Sequence, residues 1–366
     1  MKLLIATQKV DMNDAVLGFF HSWLKEFACR VDFLTVVCLY EGQHDLPDNV
    51  KVLSLGKENN KQFSIFNFQF SNNFQFLNKL KYTFLFFRYI WQERNNYDKL
   101  FIHMNPEYIV LGGVFWKIWK KKISLWYVHR ATPWQLRIAE KFVDVIFTAS
   151  KESFQLKSNK VKVVGHGISL DKVKDERCKM QDTNKFQDTN FKILYVGRIS
   201  RIKNQGLLIR AIDILDDKNV QVQLVGAPLN FDDEKYKEEL KNLVKKNNLE
   251  NQIEFVGAVP NKDIVKYYSE ANLAINLCPS GGMDKAVLEA MACKLPVMVL
   301  NKTFAELIGE EDLVLKTDDA EELIGKIGRV MSWNQDKIRD TGERLKKLVK
   351  DKYGLDNLVK KIINVI

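Results

Sequence analysis

The sequence predicts an α/β protein made of two doubly wound parallel-sheet domains. Three observations lead there. Short apolar runs alternate with helix-period segments through the first 164 residues, which is the pattern of βα units. A polar stretch without apolar period, residues 172–190 (KVKDERCKMQDTNKFQDTN), then interrupts the alternation and reads as an interdomain linker. A second β/α series follows it. At 366 residues the chain suits two domains of ordinary size.

The first domain is expected over residues 1–171. Residues 2–7 read as a buried strand, and 16–27 as an amphipathic helix with Leu17, Phe20 and Leu24 on one side. Strands are expected over 31–40 and 50–55. Residues 57–76 are rich in Asn, Gln and Phe. They read as a loop feeding a helix over 77–95, because six Phe left in water would be costly. Strands over 100–104, 124–129, 145–149 and 161–164 alternate with helices over 107–120 and 133–142. The second domain is expected over 191–349, with strands at 192–196, 221–226, 253–256, 273–277 and 296–300. Helices at 206–215, 233–247, 262–271 and 285–293 connect them. Helices over 320–333 and 334–352 follow. Residues 350–366 read as a C-terminal helix returning to the first domain.

Composition narrows the function classes. A hydrophobic fraction of 46% with 28% charged residues is that of a soluble globular chain. Five Cys stand at 29, 38, 178, 278 and 293 without CxxC spacing, and five His form no HxxxH pair. Disulfides and a structural zinc are therefore not expected, and a reducing cytoplasm is the natural compartment. The opening MKLLIATQKV has too short an apolar run for a signal peptide, and no run is long enough to span a bilayer. The net charge of +10 is uneven, with eleven Lys or Arg against three Asp or Glu between residues 61 and 130. Such a region suits nucleic acid, an acidic substrate or an anionic membrane, or is simply a solvated basic face. Residues 79–122, with FWKIWKKK at 115–122, have the basic aromatic composition of a peripheral membrane surface at the inner face. A helix with basic solvent positions reads equally well.

Two stretches carry chemistry. Residues 276–299 read NLCPSGGMDKAVLEAMACKLPVMV: a strand end, a Gly-Gly turn, a helix start and a second strand. Free backbone N–H groups and the helix dipole make such a turn an anion site. Glu289 sits about one turn inside the helix, where a carboxylate suits hydroxyls such as a ribose diol. Residues 193–204, ILYVGRISRIKN, end a strand with Gly197 and place Arg198 and Lys203 beyond it. Arg brings a planar fork to phosphate oxygens and Lys a point charge. Each stretch also has a plainer reading, an ordinary βαβ turn and a basic surface turn.

Together these stretches resemble the retaining GT-B glycosyltransferases of family 4, the glycosyl transferases group 1. Their pattern is a Glu, seven residues and a second Glu leading into "EAMACG-PV", with "VGR----K" about 80 residues earlier. The resemblance implies the GT-B fold, two Rossmann-like domains facing a cleft. It implies a metal-independent transferase moving a hexose from a UDP- or GDP-sugar to a glycan or lipid-linked acceptor. Attack and departure would share one face, the leaving phosphate taking the acceptor proton. No cofactor is implied beyond the nucleotide-sugar substrate. Arg198 and Lys203 fall on the pair that grips the diphosphate. Gly197, Gly281, Gly282, Met283, Asp284, Lys285 and Glu289 fall on donor-binding positions. His129, in WYVHRATPW, falls on the first-domain His that faces the donor sugar, so His129, Arg198 and Lys203 are the catalytic candidates. Residues 256–260 match the loop that backs the nucleobase.

The chain departs from that pattern in places. Gly281 stands where the first Glu belongs, and Asp284-Lys285 where small or apolar residues are usual. Asp284 reads either as an N-cap or as a substitute carboxylate for sugar hydroxyls. Residues 8–14 replace the Gly-Gly loop after the first strand. His166 reads as a hinge-region turn residue or a donor contact, and the flanking Gly165 and Gly167 suit a turn that needs φ > 0. His103 and Asn105 end a strand on the acceptor side. The acidic runs at 232–234 and 318–319 read as helix starts, so no catalytic metal is expected. The lost Glu leaves a binding scaffold without turnover as a rival reading. A nucleic-acid binder using the basic region is another, although no recognised module supports it.

Overall fold

The computed structural model describes residues 1–59, 72–170, 190–279 and 282–366, with side chains in the helix from Asn72 described from residue 77 onward. The segments 60–71 and 171–189 and residues 280–281 lie outside it. The expected linker, most of the loop over 57–76, Cys178 and Gly281 therefore fall on undescribed residues. The chain divides into two units, Met1–Gly167 with Leu355–Ile366, and Ile168–Gly354.

The first unit opens with β1 (Lys2–Val10), α1 (Phe19–Ala28), β2 (Phe33–Glu41), β3 (Val50–Ser54) and α2 (Asn72–Gln92). Then come β4 (Lys99–His103), α3 (Glu107–Ile118), β5 (Lys122–Trp126), α4 (Trp134–Phe142), β6 (Val145–Thr148) and β7 (Val161–Val163). The strands form one seven-stranded sheet in the order β3-β2-β1-β4-β5-β6-β7, and every pairing is parallel. β1 shows why the sheet needs cover on both faces. Leu3 and Ile5 enter one core with Phe20, Trp23 and Phe27 of α1, while Leu4 and Ala6 enter another with Phe86 and Ile90 of α2 and Trp116 of α3. Side chains alternate along a strand, so a strand apolar at every position must be buried twice.

The second unit runs β8 (Phe191–Val196), α5 (Gln205–Leu215), β9 (Val220–Val225), α6 (Phe231–Lys246), β10 (Ile253–Gly257), α7 (Ile264–Glu270) and β11 (Leu273–Asn276). It continues with α8 (Lys285–Ala292), β12 (Val297–Val299), α9 (Lys302–Ile308), α10 (Ala320–Met331) and α11 (Gln335–Tyr353). Its five-stranded sheet has the order β10-β9-β8-β11-β12, again parallel throughout. The acidic runs start helices: Asn230 caps α6 ahead of Asp232–Glu234, and Asp319 accepts the Glu322 N–H at 3.0 Å to cap α10.

The last helix, α12 (Leu355–Val365), belongs to the first unit, where Leu358, Val359 and Ile362 join α1 in its core. The division falls at Gly354, because α11 is unbroken to Tyr353, rather than at 349/350. Gly167 meets α12 directly: a Cβ there would lie 2.7 Å from Leu358 Cδ2. Only Gly165, at φ +85°, has the left-handed backbone expected on both sides of His166; Gly167 is required by close packing instead.

In the second sheet the strand ends are stitched by main-chain bonds. Gly197 N–H donates to Val225 at 2.9 Å and Gly226 N–H to Gly257 at 2.8 Å. Gly226 has φ +146°, and a Cβ on it would stand 1.9 Å from the Gly197 carbonyl oxygen. Gly257, at φ +86°, has open space around its Cβ position. Gly226→Ala should therefore cost more than Gly257→Ala, roughly 2–3 kcal/mol against about 1 kcal/mol. Urea unfolding of the two variants checks the order, and equal midpoints would show that the strand ends do not touch as described.

Candidate functional site

In an open α/β sheet, ligands bind beyond the carboxyl ends of the strands, where the strand order reverses. In the second unit that point lies between β8 and β11: the chain goes outward from β8 to β9 and β10, then returns to β11 and β12. Both diagnostic stretches of the sequence leave the sheet there. β8 gives way to Gly197 and Arg198, then to a 3₁₀ turn over Arg201–Lys203. Asn204, in left-handed backbone at φ 55°, turns the chain into α5. β11 gives way to Leu277, Cys278 and Pro279, and α8 begins after Asp284.

Tyr195 ties the two exits together. Its ring is buried, and its phenol donates to the Lys203 carbonyl while accepting the Leu277 N–H at 3.1 Å. Burial pushes that phenol well above its ordinary range, so it stays a donor. Above it, the Lys203 ammonium pairs with Asp284 Oδ2, and the same oxygen accepts from Asn276 Nδ2 at 2.9 Å. Asp284 Oδ1 accepts the Ala286 N–H at 3.3 Å, so Asp284 is the N-cap of α8. Burial alone would push this carboxyl up. The Lys203 charge and the bonds from Lys203, Asn276 and Ala286 outweigh it and hold the pKa below the usual value.

Lys285 is the first residue of α8, a position where the helix dipole disfavours a cation. It is half-buried, and burial pushes its ammonium down to about 7 against the opposing charges of Glu289 and Asp284. Glu289, also half-buried, receives the Tyr268 hydroxyl from α7 at 3.1 Å. Met283 packs against the core, and the Gly282 carbonyl accepts from Asn301 at 3.5 Å. Arg198 is exposed, with its Nε 3.7 Å from Asp233 Oδ2 in the first turn of α6. The second unit thus brings Gly197, Lys203, Asp284, Lys285 and Glu289 to the switch point, with Arg198 on the rim.

Sequence reasoning misses Tyr195, Tyr268, Asn276 and the contact of Asp233 with Arg198. Asn276 has a signal, a polar residue within the apolar run 273–277, three residues before Pro279. Asp233 reads in the sequence only as a helix-start acid. Nothing local marks the two Tyr, whose roles come from partners 82 and 21 residues away.

The His residues of the first unit differ from expectation in one respect. β5 stops at Trp126, so His129 stands three residues past the strand; its Nδ1 accepts the Ala131 N–H at 3.0 Å and the ring is exposed. That bond places the proton of a neutral ring on Nε2. His103 is buried at the end of β4, 3.2 Å from Thr7 Oγ1 and stacked on Phe20 at 3.9 Å between centroids. His166 is buried near Trp126, their centroids 6.3 Å apart. Among the described residues no three of His, Cys, Asp and Glu gather as metal ligands, and no helix is long and apolar enough to cross a membrane.

The family model described as "Glycosyl transferases group 1" matches residues 176–348. The chain is 24% identical over 261 residues to an uncharacterized 41.2 kDa protein in the cps region of Klebsiella pneumoniae, covering 68% of this chain and 66% of that protein. It is 26% identical over 216 residues to the capsular polysaccharide biosynthesis glycosyltransferase CapM of Staphylococcus aureus, covering 54% and 53%. The matched stretches thus span less than two thirds of these relatives. Among solved structures, Anabaena HepE, in complex with UDP and glucose, aligns with a TM-score of 0.73 at 18% identity over 100% of this chain and 99% of that one. That likeness is one of fold: two parallel-sheet α/β domains of the GT-B kind. The family model thus covers most of the second unit, Ile168–Gly354.

Proposed function

We propose that this chain is a retaining, metal-independent glycosyltransferase of the family 4 type, moving a hexose from a nucleoside-diphosphate sugar to a glycan or lipid-linked acceptor. The observation that carries the reading is the cluster at the second switch point. There Lys203, Lys285 and the N-terminus of α8 gather positive charge, with Glu289 one turn further along the same helix. A diphosphate is the ligand of matching charge, and a ribose diol suits the carboxylate. Anabaena HepE holds UDP, which favours a UDP-sugar donor over a GDP-sugar, and CapM acts in capsular polysaccharide biosynthesis.

In transfer, the bond between the anomeric carbon and the phosphate oxygen breaks while the acceptor oxygen bonds to the same face of that carbon. The acceptor proton passes to the departing phosphate. Negative charge grows on the diphosphate, and Arg198, Lys203 and the α8 N–H groups meet it, which leaves no task for a divalent cation. Lys203 exchanges its partner in the cycle: Asp284 pairs with it before donor binding, and the diphosphate takes over on binding. His129 is assigned to the sugar side by the family pattern. Gly281 leaves the usual sugar carboxylate missing, and Asp284 is the nearest substitute in sequence.

Three measurements test this reading. Lys203→Ala should lower transfer on the order of 10²-fold or more, a larger effect than its cost to the fold from leaving Asp284 unpaired, and Lys203→Arg should recover part of it. Parental rates in Lys203→Ala would remove the assignment. Glu289→Ala should weaken the bare nucleoside diphosphate by roughly 1–3 kcal/mol in calorimetry; loss confined to sugar-bearing donors would place Glu289 on the sugar instead. Activity should persist in excess EDTA, and loss restored by Mn²⁺ would make the enzyme metal-dependent.

The Lys285 environment adds a pH dependence. Burial pushes its ammonium down to about 7, and a diphosphate alongside raises that value by direct attraction. The complex then holds more protons than its components above pH 7. Binding takes up a proton, and affinity falls as pH rises through and beyond 7. Calorimetry at pH 8 in two buffers of different ionisation enthalpy reads the uptake directly. Lys285→Met should abolish it, and equal uptake in that variant would assign the proton elsewhere.

A further inference from the structure

The first unit carries an apolar face that its own core does not use. On α2 the residues facing inward are Phe86 and Ile90, both buried. On the other side Leu77, Leu80, Phe84 and Trp91 recur at intervals of three, four and seven, and are 62%, 49%, 69% and 54% exposed. On α3, Trp116 points inward while Val114, Phe115 and Ile118 are 51%, 38% and 68% exposed. The two outer faces are continuous. Phe87 meets Phe115 at 5.6 Å between centroids, Trp91 meets Trp119 at 5.7 Å, and Phe115 meets Trp119 at 5.9 Å. Among the described residues, half of the large apolar side chains left in water lie on these two helices. Single exposed apolar residues are ordinary, but a contiguous group of this kind marks a contact surface.

The charges around the face specify its partner. Lys79, Lys81 and Arg88 are exposed along α2, and Lys117 and Lys120 at the end of α3. Glu93, the one carboxylate near the end of α2, is turned inward, buried and paired with Lys51 at 2.7 Å. Asp144 pairs with Lys117 at 2.6 Å at one margin, and Glu107 lies at the far end of α3. The apolar strip is therefore bordered mainly by cations. A second copy would set these cations against each other. An anionic bilayer meets both features, taking the apolar side chains at the headgroup boundary and the cations on lipid phosphates.

We propose that the outer face of α2 and α3 is a docking surface for an anionic lipid membrane, lying on the bilayer without crossing it. The inference stands on this surface and is independent of the transferase reading. It also narrows the basic region 79–122, since Lys121 is turned to the Tyr97 carbonyl at 2.6 Å and does not border the face.

The test is co-sedimentation of the full chain with vesicles of phosphatidylcholine alone and with added phosphatidylglycerol. Binding is expected only with the anionic lipid, falling as salt is raised. The double variant Phe84→Ser with Ile118→Ser should bind at least about tenfold more weakly, with an unchanged melting temperature because both side chains are already in water. Lys79→Glu with Arg88→Glu should lose binding through charge alone, so this second variant decides the matter even where the first folds poorly. Equal sedimentation with and without phosphatidylglycerol would overturn the proposal. So would a self-associated parent that the serine variant returns to monomer without any effect on vesicles, because the face would then be a protein contact.

Discussion

The ion pair between Lys203 and Asp284 is the contact on which the second unit's site depends. It spans the gap between the loops after β8 and β11, whose exits are also joined by the Tyr195 phenol. Both charged side chains are mostly covered, so neither is stable there without the other. Asp284 is in turn fixed by Asn276 and by the first turn of α8. The pair thus sets where α8 begins, and with it where the free N–H groups of that helix and the carboxylate of Glu289 stand.

On the proposed reading, this arrangement answers a general problem of anion sites. A cluster of cations built for a ligand repels itself while the ligand is away, and burial makes the repulsion worse. The chain uses two solutions side by side. Lys203 is given an internal carboxylate. Lys285 is held near Glu289 and Asp284 and shifted until it can shed its proton at neutral pH. The first solution keeps a fixed charge with a ready partner, and the second makes the charge itself adjustable. Tyr268 serves the same end from the other side, donating to Glu289 so that the carboxylate is oriented in a half-buried position.

Much of this is legible in the sequence, for identifiable reasons. The parallel strands are apolar at nearly every position because both of their faces are covered, and such runs stand out against polar connections. The start of α8 is legible because Asp followed by helix formers is a local capping signal, and the structure gives Asp284 that bond. What does not show is anything set by distant partners. Asp284 has two readings because its local pattern says nothing of Lys203, 81 residues earlier. The unbroken β-prone run WYVH puts His129 at a strand end, yet β5 stops at Trp126 with no local residue that announces it. Gly167 resembles Gly165 in sequence and differs in cause, one needing room for α12 and the other a left-handed backbone.

The two units show how one topology is put to different uses. Each sheet reverses its strand order once, between β1 and β4 in the first and between β8 and β11 in the second. In the first, the reversal is filled: Thr7 and His103 hydrogen-bond to each other, and Phe20 of α1 stacks on the imidazole. Buried polar groups satisfied in that way serve packing and leave no room for a ligand between them. In the second, the corresponding place holds half-buried charges whose partners sit on separate loops. Charged groups can exchange partners when a ligand brings competing charge, whereas a stacked and hydrogen-bonded imidazole has nothing to exchange. The difference lies in a few side chains at the strand ends, and fold alone would not reveal it. For that reason the functional reading rests on Lys203, Asp284, Lys285 and Glu289 rather than on the doubly wound architecture that both units share.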